Sequence, residues 1–317
     1  MKRKRIIASV LAAVMALTAL VGCQNSGESS KAETSAREQN TQANESTAPV
    51  DPYADIDLKI SRMTVEEKVG QLLYVNCRGN DMTEAINDYH IGGVLLFGVD
   101  FDGKTKDEVK ADIKAMQATA KIPLIIGTDE EGGTVVRASD NPNLRESAYL
   151  SPSETFANGG WSAVEDDAYD KAKFLLSLGV NVNMAPVCDI TSNPDSFMYY
   201  RSFSSDAAST SRFVDTVVKA SKEKKLGTVL KHFPGYGDNG DTHYSDATDS
   251  RLYSELQNND FLPFQAGIAA GADSILVSHI TVNSIDSGNP ASLSEPVHEV
   301  IRDTLKFDGV VMTDDLD

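Results

Sequence analysis

The stretch KHFPGYGDNGDTH, from Lys231 to His243, is the most informative part of this 317-residue chain. It follows a short apolar run at 228–230, which predicts a strand that ends in a glycine-rich loop. Proline and glycine force turns in such a loop, so its polar side chains cannot all lie along one regular element. The ionisable residues of the stretch are Lys231, His232, Asp238, Asp241 and His243. A strand end followed by acids, bases and a cation is typical of a catalytic surface.

Strand-like and helix-like segments alternate on both sides of this stretch. Apolar runs predict strands at 70–75, 93–97, 124–127, 180–184, 228–230, 274–277 and 309–312. Amphipathic stretches predict helices at 107–120, 167–178, 207–224 and 252–270. The strands are nearly continuous in Val, Ile and Leu, as expected when both faces of a sheet are covered. Repeated strand–helix units predict an α/β fold with a parallel sheet.

Polar residues gather directly after five of the predicted strands. They are Asp129 with Glu130, Asp189, Lys231 with His232, His279, and Asp314 with Asp315. A doubly wound sheet binds ligands only at its switch point, whereas a barrel draws its site from many strand ends. The pattern therefore favours a (β/α)8 TIM-type barrel. Only seven strands precede the end of the sequence, so we expect a barrel truncated after the seventh strand, and we expect turnover from the parent protein rather than from this fragment.

Composition and charge exclude some classes of protein. Hydrophobic residues make up 41% of the chain, which is ample for a folded core. The formal net charge of −18 argues against a nucleic-acid surface, which requires clustered Lys and Arg.

The first 52 residues predict export and anchoring rather than part of the fold. Four basic residues, 2–5, precede an apolar run at 6–21 that ends in Leu-Val-Gly-Cys23, a sequence that resembles a bacterial lipobox. We predict a signal peptide at 1–22, a lipid on Cys23, a disordered tether at 23–52 and one catalytic domain at 53–317. A plain signal peptide or a short membrane anchor is the alternative. The expected location is outside the cytoplasm, at the cell membrane. The two other cysteines, Cys77 and Cys188, are expected to be free thiols.

Three residues are candidates for catalysis. His243 lies two residues after Asp241, close enough for the carboxylate to fix the imidazole tautomer and raise its basicity. Asp314 ends a predicted strand, a placement suited to a nucleophile or to the stabilisation of a cationic transition state. An exposed loop histidine and a helix N-cap are the corresponding structural interpretations. If both groups are catalytic, we expect them to face each other across a gap the size of a sugar ring.

Two further segments offer binding groups. DEEGGTVVR places Asp129 and Arg137 on one loop, and Arg201 presents a planar set of donors. Alternating carboxylates and cations pair with adjacent sugar hydroxyls. Each alone is more typical of a surface ion pair.

Together these segments resemble the β-N-acetylglucosaminidase branch of family three of the glycoside hydrolases. The family carries a Lys-His-Phe-Pro-Gly-His-Gly loop that ends in Asp-Ser-His, and segments similar to DEEGG, to Asn-Met-Ala-Pro-Val-Cys-Asp at 183–189, to Arg-Ser-Phe at 201–203 and to Thr-Asp-Asp-Leu at 313–316. The chain departs from the family loop at Tyr236, where the family usually has a second His, and at Thr242, where it has Ser. The loop is also one residue shorter before Asp241.

The resemblance implies a TIM barrel and retaining hydrolysis of terminal β-linked N-acetylglucosamine through a covalent glycosyl-enzyme. It implies Asp314 as the nucleophile, His243 as the acid/base and Asp241 as its support. It implies that the sugar is held by Asp129, Arg137, Arg201, Lys231 and His232. Cell-wall muropeptides and chitin fragments are both candidate substrates, and no cofactor, metal or nucleic-acid partner is expected.

Other functions stay open on the sequence. A β-glucosidase or glycosyl phosphorylase of the same family would use the same barrel. A metal-dependent hydrolase would use His232, His243, His279 and a strand-end Asp, although Lys231 beside His232 would repel a cation. A sugar-binding lipoprotein without turnover would not need Asp241, His243 and Asp314.

Overall fold

The computed structural model describes residues 53–316. In chain order its strands are β1 (Tyr74–Asn76), β2 (Gly93–Leu96), β3 (Ile125–Thr128), β4 (Val182–Asn183), β5 (Gly227–Phe233), β6 (Thr248–Asp249), β7 (Ser274–Val277), β8 (Thr281–Val282) and β9 (Val310–Thr313). All but β6 and β8 form one parallel sheet in the order β1-β2-β3-β4-β5-β7-β9. The order never reverses, so this sheet has no switch point and is of the barrel type. The α/β, TIM-type prediction is confirmed.

Helices separate the strands of this sheet. They are α1 (Ala54–Arg62), α2 (Val65–Gly70), α3 (Thr83–Asp88), α4 (Gly98–Phe101), α5 (Lys106–Thr119), α6 (Pro152–Leu178), α7 (Ala207–Lys224), α8 (Tyr253–Asn258), α9 (Phe261–Ala270) and α10 (Glu295–Glu299), which continues as a π-helical turn, Val300–Thr304. A short 3-10 turn, Ala291–Leu293, precedes α10. Within the described range, no helix is both long and apolar enough to cross a membrane.

Three boundaries differ from the sequence predictions. The first half of the strand predicted at 70–75 is wrong, because strand β1 begins only at Tyr74. A capping box between Thr64 and Glu67 starts helix α2, which runs to Gly70. The helix predicted at 252–270 is two helices, α8 and α9. Asp260 lies at the break, where its carboxylate accepts from Arg251 Nη1 at 2.9 Å. Strand β5 runs three residues beyond the predicted end, so Lys231 and His232 lie within a strand rather than in the loop.

Two features escaped the sequence analysis. Strands β6 and β8 pair only with each other, in a separate two-stranded sheet. Helix α6 starts well before the predicted residue 167, because Ser151 and Glu154 form a capping box at its N-terminus. It is interrupted at Gly160, whose φ of 65° lies in the left-handed region that favours glycine.

Strands β5 and β7 are buried on both faces, and alternate residues of the sheet belong to different cores. The barrel interior holds one small apolar cluster: Tyr74, Leu95, Val182, Met184, Val229, Leu276 and Met312. Their neighbours in sequence, such as Val94, Leu230 and Ile275, belong to the two larger clusters packed with helices. A residue two positions further along a strand therefore faces the same side, which decides the direction of the polar side chains at the strand ends.

The ring of Tyr74 crosses the interior next to strands β2 and β3. A Cβ atom at Gly93 or Gly127 would overlap this ring or its hydroxyl, so only glycine fits at these two positions.

Some predictions concern residues that the structure does not describe. The signal peptide at 1–22, the lipid on Cys23 and the tether at 23–52 all lie outside the described residues and stay predictions, as does the domain limit of 53–317. Cys77 and Cys188 are both buried and unbridged, which confirms the prediction of free thiols.

Candidate active site

Lys231 is the centre of a charged cluster at the carboxyl end of the sheet. It faces the interior, like Val229 two residues earlier, and its side chain is only 3% exposed. Its Nζ lies 2.6 Å from Asp129 Oδ1 and 2.6 Å from Glu131 Oε1. Burial alone would lower the pKa of Lys231, but the two carboxylates outweigh burial and raise it. Lys231 is therefore a cation held in place by two anions.

Arg201 extends the cluster through Glu131. Its Nε and Nη2 donate to the two oxygens of Glu131 at 2.9 and 2.8 Å, a bidentate pair. Burial would raise the pKa of Glu131, but the charges of Arg201 and Lys231 hold that pKa well below its ordinary value. Glu131 thus carries a negative charge shared between two cations.

His232 joins the cluster through both ring nitrogens. Its Nδ1 lies 2.7 Å from Asp189 Oδ2, and its Nε2 lies 3.1 Å from Arg201 Nη2. A guanidinium only donates, so Nε2 accepts and Nδ1–H donates to the carboxylate. Asp189 also accepts a hydrogen bond from the backbone N–H of His232, at 2.9 Å, so one carboxylate holds both the backbone and the ring of this residue. We call the six residues just described the buried cluster: Asp129, Glu131, Asp189, Arg201, Lys231 and His232.

A second group lies on the loop at 237–244, which we call the acid/base loop. The carboxylate of Asp241 accepts from the backbone N–H of His243 at 3.0 Å and lies 2.7 Å from its Nδ1. The other ring nitrogen, Nε2, lies 3.6 Å from Asp314 Oδ1. The structure therefore brings together the three residues predicted to be catalytic, although the gap between His243 and Asp314 is smaller than a sugar ring.

The charges of this group contribute to the short gap between His243 and Asp314. The nearby carboxylate of Asp314 is the main cause that raises the pKa of His243 to about 9, with Asp241 adding to it and partial burial opposing it. Burial would raise the pKa of Asp314, but the proximity and positive charge of His243 outweigh burial and lower that pKa. An imidazolium and a carboxylate result, and opposite charges attract.

Asp314 points into the mouth of the barrel with one oxygen unengaged. It lies two residues beyond the interior residue Met312, and its side chain is 11% exposed. Oδ1 accepts from the backbone N–H of Asp315 and faces His243. Oδ2 is buried, and the described residues offer it no hydrogen-bond partner. A buried carboxylate oxygen without a donor is suited to attack an electrophile.

Asp315, by contrast, turns away from this group. Its side chain accepts from Asn76 Nδ2 at 3.0 Å and pairs with Arg78 at 3.1 Å, which links the ends of β9 and β1. The two adjacent aspartates thus have different surroundings because they face opposite sides of the strand.

Arg137 is not drawn into the buried cluster. Its guanidinium carbon lies 5.6 Å from the centre of the Phe97 ring, and its Nε is buried without a hydrogen-bond partner in the described part of the chain. Its backbone N–H donates to Glu130 Oε2 at 3.3 Å. A buried donor without a partner is compatible with the predicted binding role, which stays a prediction.

Two members of the buried cluster were not predicted from the sequence. Glu131 and Asp189 were not named as site residues, yet they fix Arg201, Lys231 and His232. Strand alternation could have found Glu131, because 127, 129 and 131 share the interior side. Glu130, between Asp129 and Glu131, points the other way and binds the backbone of the loop at 137–139.

The metal-site alternative gains no support from the geometry. Residues 53–316 contain no group of three or more His, Cys, Asp or Glu side chains arranged to hold a metal ion. His279, one of its proposed ligands, is occupied elsewhere: Nδ1 contacts Ser292 Oγ at 2.7 Å and Nε2 contacts the carbonyl oxygen of Asp315 at 2.6 Å.

Comparisons with known proteins agree on one family. The model of the glycosyl hydrolase family 3 N-terminal domain matches residues 64–317. The β-hexosaminidase LpqI of Mycobacterium tuberculosis is 32% identical over 267 residues, which cover 80% of this chain and 66% of the relative. A β-hexosaminidase of Stenotrophomonas maltophilia is 32% identical over 258 residues, which cover 77% of this chain and 74% of the relative.

A solved structure shows the same fold. The family 3 β-N-acetylglucosaminidase from Paenibacillus sp. str. FPU-7 superposes with a TM-score of 0.75 at 29% identity. The match covers 80% of this chain and 49% of that one, so the present chain spans about half the length of this neighbour.

Proposed function

We propose, because this chain belongs to family 3 of the glycosyl hydrolases, that the whole protein removes terminal β-linked N-acetylglucosamine with retention of configuration. The observation that carries the proposal is the group at the barrel mouth. There, a carboxylate with one unengaged oxygen lies 3.6 Å from an imidazole that a second carboxylate supports. The names of the β-hexosaminidase relatives support the choice of sugar.

The buried cluster supplies binding groups for the sugar. Asp129 accepts hydrogen bonds, while Lys231 and Arg201 donate them, so adjacent hydroxyls of one sugar ring can each find a partner. Every one of these side chains is already held by an ion pair, so little side-chain entropy is lost on binding. Arg137 and His232 complete the proposed set.

Glycosylation requires the acid/base loop to move away from Asp314. The two carboxyl groups of retaining glycosidases usually lie about 5–5.5 Å apart, so a gap of 3.6 Å must widen by about 2 Å to admit the sugar. Asp314 then attacks the anomeric carbon. The bond to the leaving oxygen breaks with its electron pair, and this oxygen takes the proton from Nε2 of His243. The products are a glycosyl ester of Asp314, a neutral imidazole and a free alcohol.

The same charges explain how His243 becomes a base for the second step. Esterified Asp314 carries no negative charge, so its contribution to the raised pKa of His243 is lost. The imidazole, now neutral, accepts a proton from water as the water oxygen attacks the anomeric carbon. Asp314 leaves as a carboxylate, and its returning charge restores the imidazolium. The same nitrogen atom thus gives one proton to the leaving oxygen and takes another from water.

The location and natural substrate follow from the N-terminal segment. We place the protein outside the cytoplasm, attached to the membrane by a lipid on Cys23. Cell-wall or chitin-type oligosaccharides are the proposed substrates at that location.

A kinetic comparison tests the proposed activity. The full-length protein is assayed on chromogenic β-N-acetylglucosaminide and β-glucoside, each with and without phosphate. We expect release of N-acetylglucosamine with no requirement for phosphate. Preference for the glucoside, or formation of a sugar phosphate, would replace this proposal by one of the other family activities. Loss of activity on chelation would favour a metal-dependent hydrolase.

A further inference from the structure

Tyr236 is fixed by the buried cluster. The side chain is 1% exposed, and its ring packs edge-on against Phe197 and His232, with ring centres 5.0 and 5.4 Å apart. Its backbone N–H donates to Asp189 Oδ1 at 2.8 Å. Since Asp189 also holds His232, the backbone of Tyr236 is anchored to a carboxylate of the buried cluster, and packing holds its ring.

The hydroxyl of Tyr236 reaches the acid/base loop. It makes a 2.6 Å hydrogen bond with Oγ1 of Thr242, the residue between Asp241 and His243. The two positions where the chain departs from the family loop, Tyr236 and Thr242, therefore meet in one hydrogen bond. This bond joins the buried ring of Tyr236 to the residue that lies between Asp241 and His243 in the sequence.

The loop needs such an attachment because its own contacts are local. The bonds from Asp241 to His243 move with the loop and cannot set the distance from His243 to Asp314. At the start of the loop, Asp238 Oδ1 accepts from Thr191 Oγ1 at 2.6 Å, but His243 lies five residues further on and its side chain is 44% exposed.

We propose that Tyr236 is a positioning residue: its hydroxyl holds Thr242 and thereby keeps His243 on the side of the barrel mouth that faces Asp314. The kinetic part of this proposal rests on the function proposed above, whereas the structural part does not. Two carboxylates face His243, Asp314 from strand β9 and Asp241 from its own loop. Release of Thr242 therefore removes His243 from Asp314 and leaves Asp241 in place.

The phenol does not titrate in the range where the imidazole does. Burial, together with the nearby carboxylates of Asp314, Asp189 and Asp241, raises the pKa of Tyr236 well above its ordinary value. The attachment is thus a bond between two neutral hydroxyls over the pH range in which His243 titrates.

An NMR titration of the histidines tests the structural part. The signal of His243 is assigned by its loss in His243→Gln, and its pKa is measured in the parent protein and in Tyr236→Phe, which removes one oxygen and keeps the ring. We expect the pKa of His243 to fall by about 0.5–1 unit, because the variant loses the one hydrogen bond between residue 236 and Thr242. The matched control is Tyr244→Phe, which removes a hydroxyl from a 90% exposed tyrosine of the same loop and should leave this pKa unchanged.

Variants of the partner residue separate positioning from general stability. Thr242→Val should lower the pKa of His243 as much as Tyr236→Phe does. Thr242→Ser keeps the hydroxyl, so its His243 should have the same pKa as in the parent protein. The double variant Tyr236→Phe/Thr242→Val should be no worse than either single one, because both remove the same bond. If Tyr236→Phe lowers only the melting temperature and leaves the pKa of His243 unchanged, the role is structural and the proposal is overturned.

The kinetic part has its own readout. In Tyr236→Phe we expect kcat on disaccharide substrates to fall about 3- to 10-fold, with a smaller loss on activated aryl glycosides. KM should stay near the parent value, since the buried cluster keeps its contacts. If the parent protein releases no N-acetylglucosamine, the proposed function fails, but the NMR titration still decides whether Tyr236 positions His243.

Discussion

The buried cluster and the acid/base loop lie at the same end of the barrel, yet they differ in how each polar group is held. In the cluster every ionic group is paired with a residue that is distant in the sequence, and the side chain of Lys231 is only 3% exposed. On the loop, His243 is 44% exposed and contacts one neighbour in sequence and one distant carboxylate. The difference fits the proposed roles, in which the buried cluster recognises the sugar and the acid/base loop moves and exchanges protons.

The largest effect is expected at Asp314, which faces the loop but does not belong to it. Asp314→Asn keeps the shape of the side chain and cannot form the glycosyl ester, so kcat should fall by about 10⁴-fold or more. Sugar binding, measured by calorimetry, should be largely retained because the buried cluster is intact. Activity equal to that of the parent would falsify the assignment of the nucleophile and the contrast between binding and chemistry.

The next effect tests the fixed character of the cluster. Lys231→Met removes the cation from between Asp129 and Glu131 and leaves buried anions without compensation, which should destabilise the protein by about 3–5 kcal/mol. Urea denaturation measures the change.

The control is Lys219→Met, which breaks an exposed pair with Asp215 on helix α7 and should cost at most about 1 kcal/mol. Equal losses in the two variants would show that the cluster is no more rigidly paired than the surface.

The acid/base loop should show a dependence on the leaving group. His243→Ala removes the proton donor, so kcat on disaccharides should fall by about 10²-fold or more. Activated aryl glycosides need less protonation and should lose less rate at the glycosylation step. The same loss on both classes of substrate would contradict the role of His243 as the acid.

The smallest effect is on stability as a function of pH. The pKa of His243 is raised from 6.5 to about 9, so its contribution is complete below pH 6.5 and is lost as the pH rises through 9. Because the side chain is 44% exposed, solvent screening should limit this contribution to about 1 kcal/mol. Denaturation at pH 6.5 and 9.5 should show a loss in the parent protein that is reduced in His243→Gln. If both proteins lose the same stability between pH 6.5 and 9.5, the loss does not come from the titration of His243.

The sequence by itself determined the fold class and the direction of several side chains. Apolar runs alternate with amphipathic stretches along the chain. A continuous apolar run by itself predicts a strand that is buried on both faces. Strand alternation places Asp314 on the same side as Met312, whereas the side on which Lys231 lies became clear only from the longer strand β5 of the structure. The contact of Asp241 with His243 was also predictable, since two residues apart in a turn they cannot move far from each other.

Only the tertiary structure decided which strand ends meet and which charges pair. Glu131 binds Arg201 across 70 residues, and Asp189 binds His232 across 43. Neither partner is marked by its neighbours in sequence, because the order and register of the strands bring these side chains together. The same holds for Tyr236, whose hydroxyl finds Thr242 because the ring is fixed by packing against Phe197 and His232. Local contacts follow from the covalent chain, whereas the pairing that sets the charges of the site needs the folded sheet.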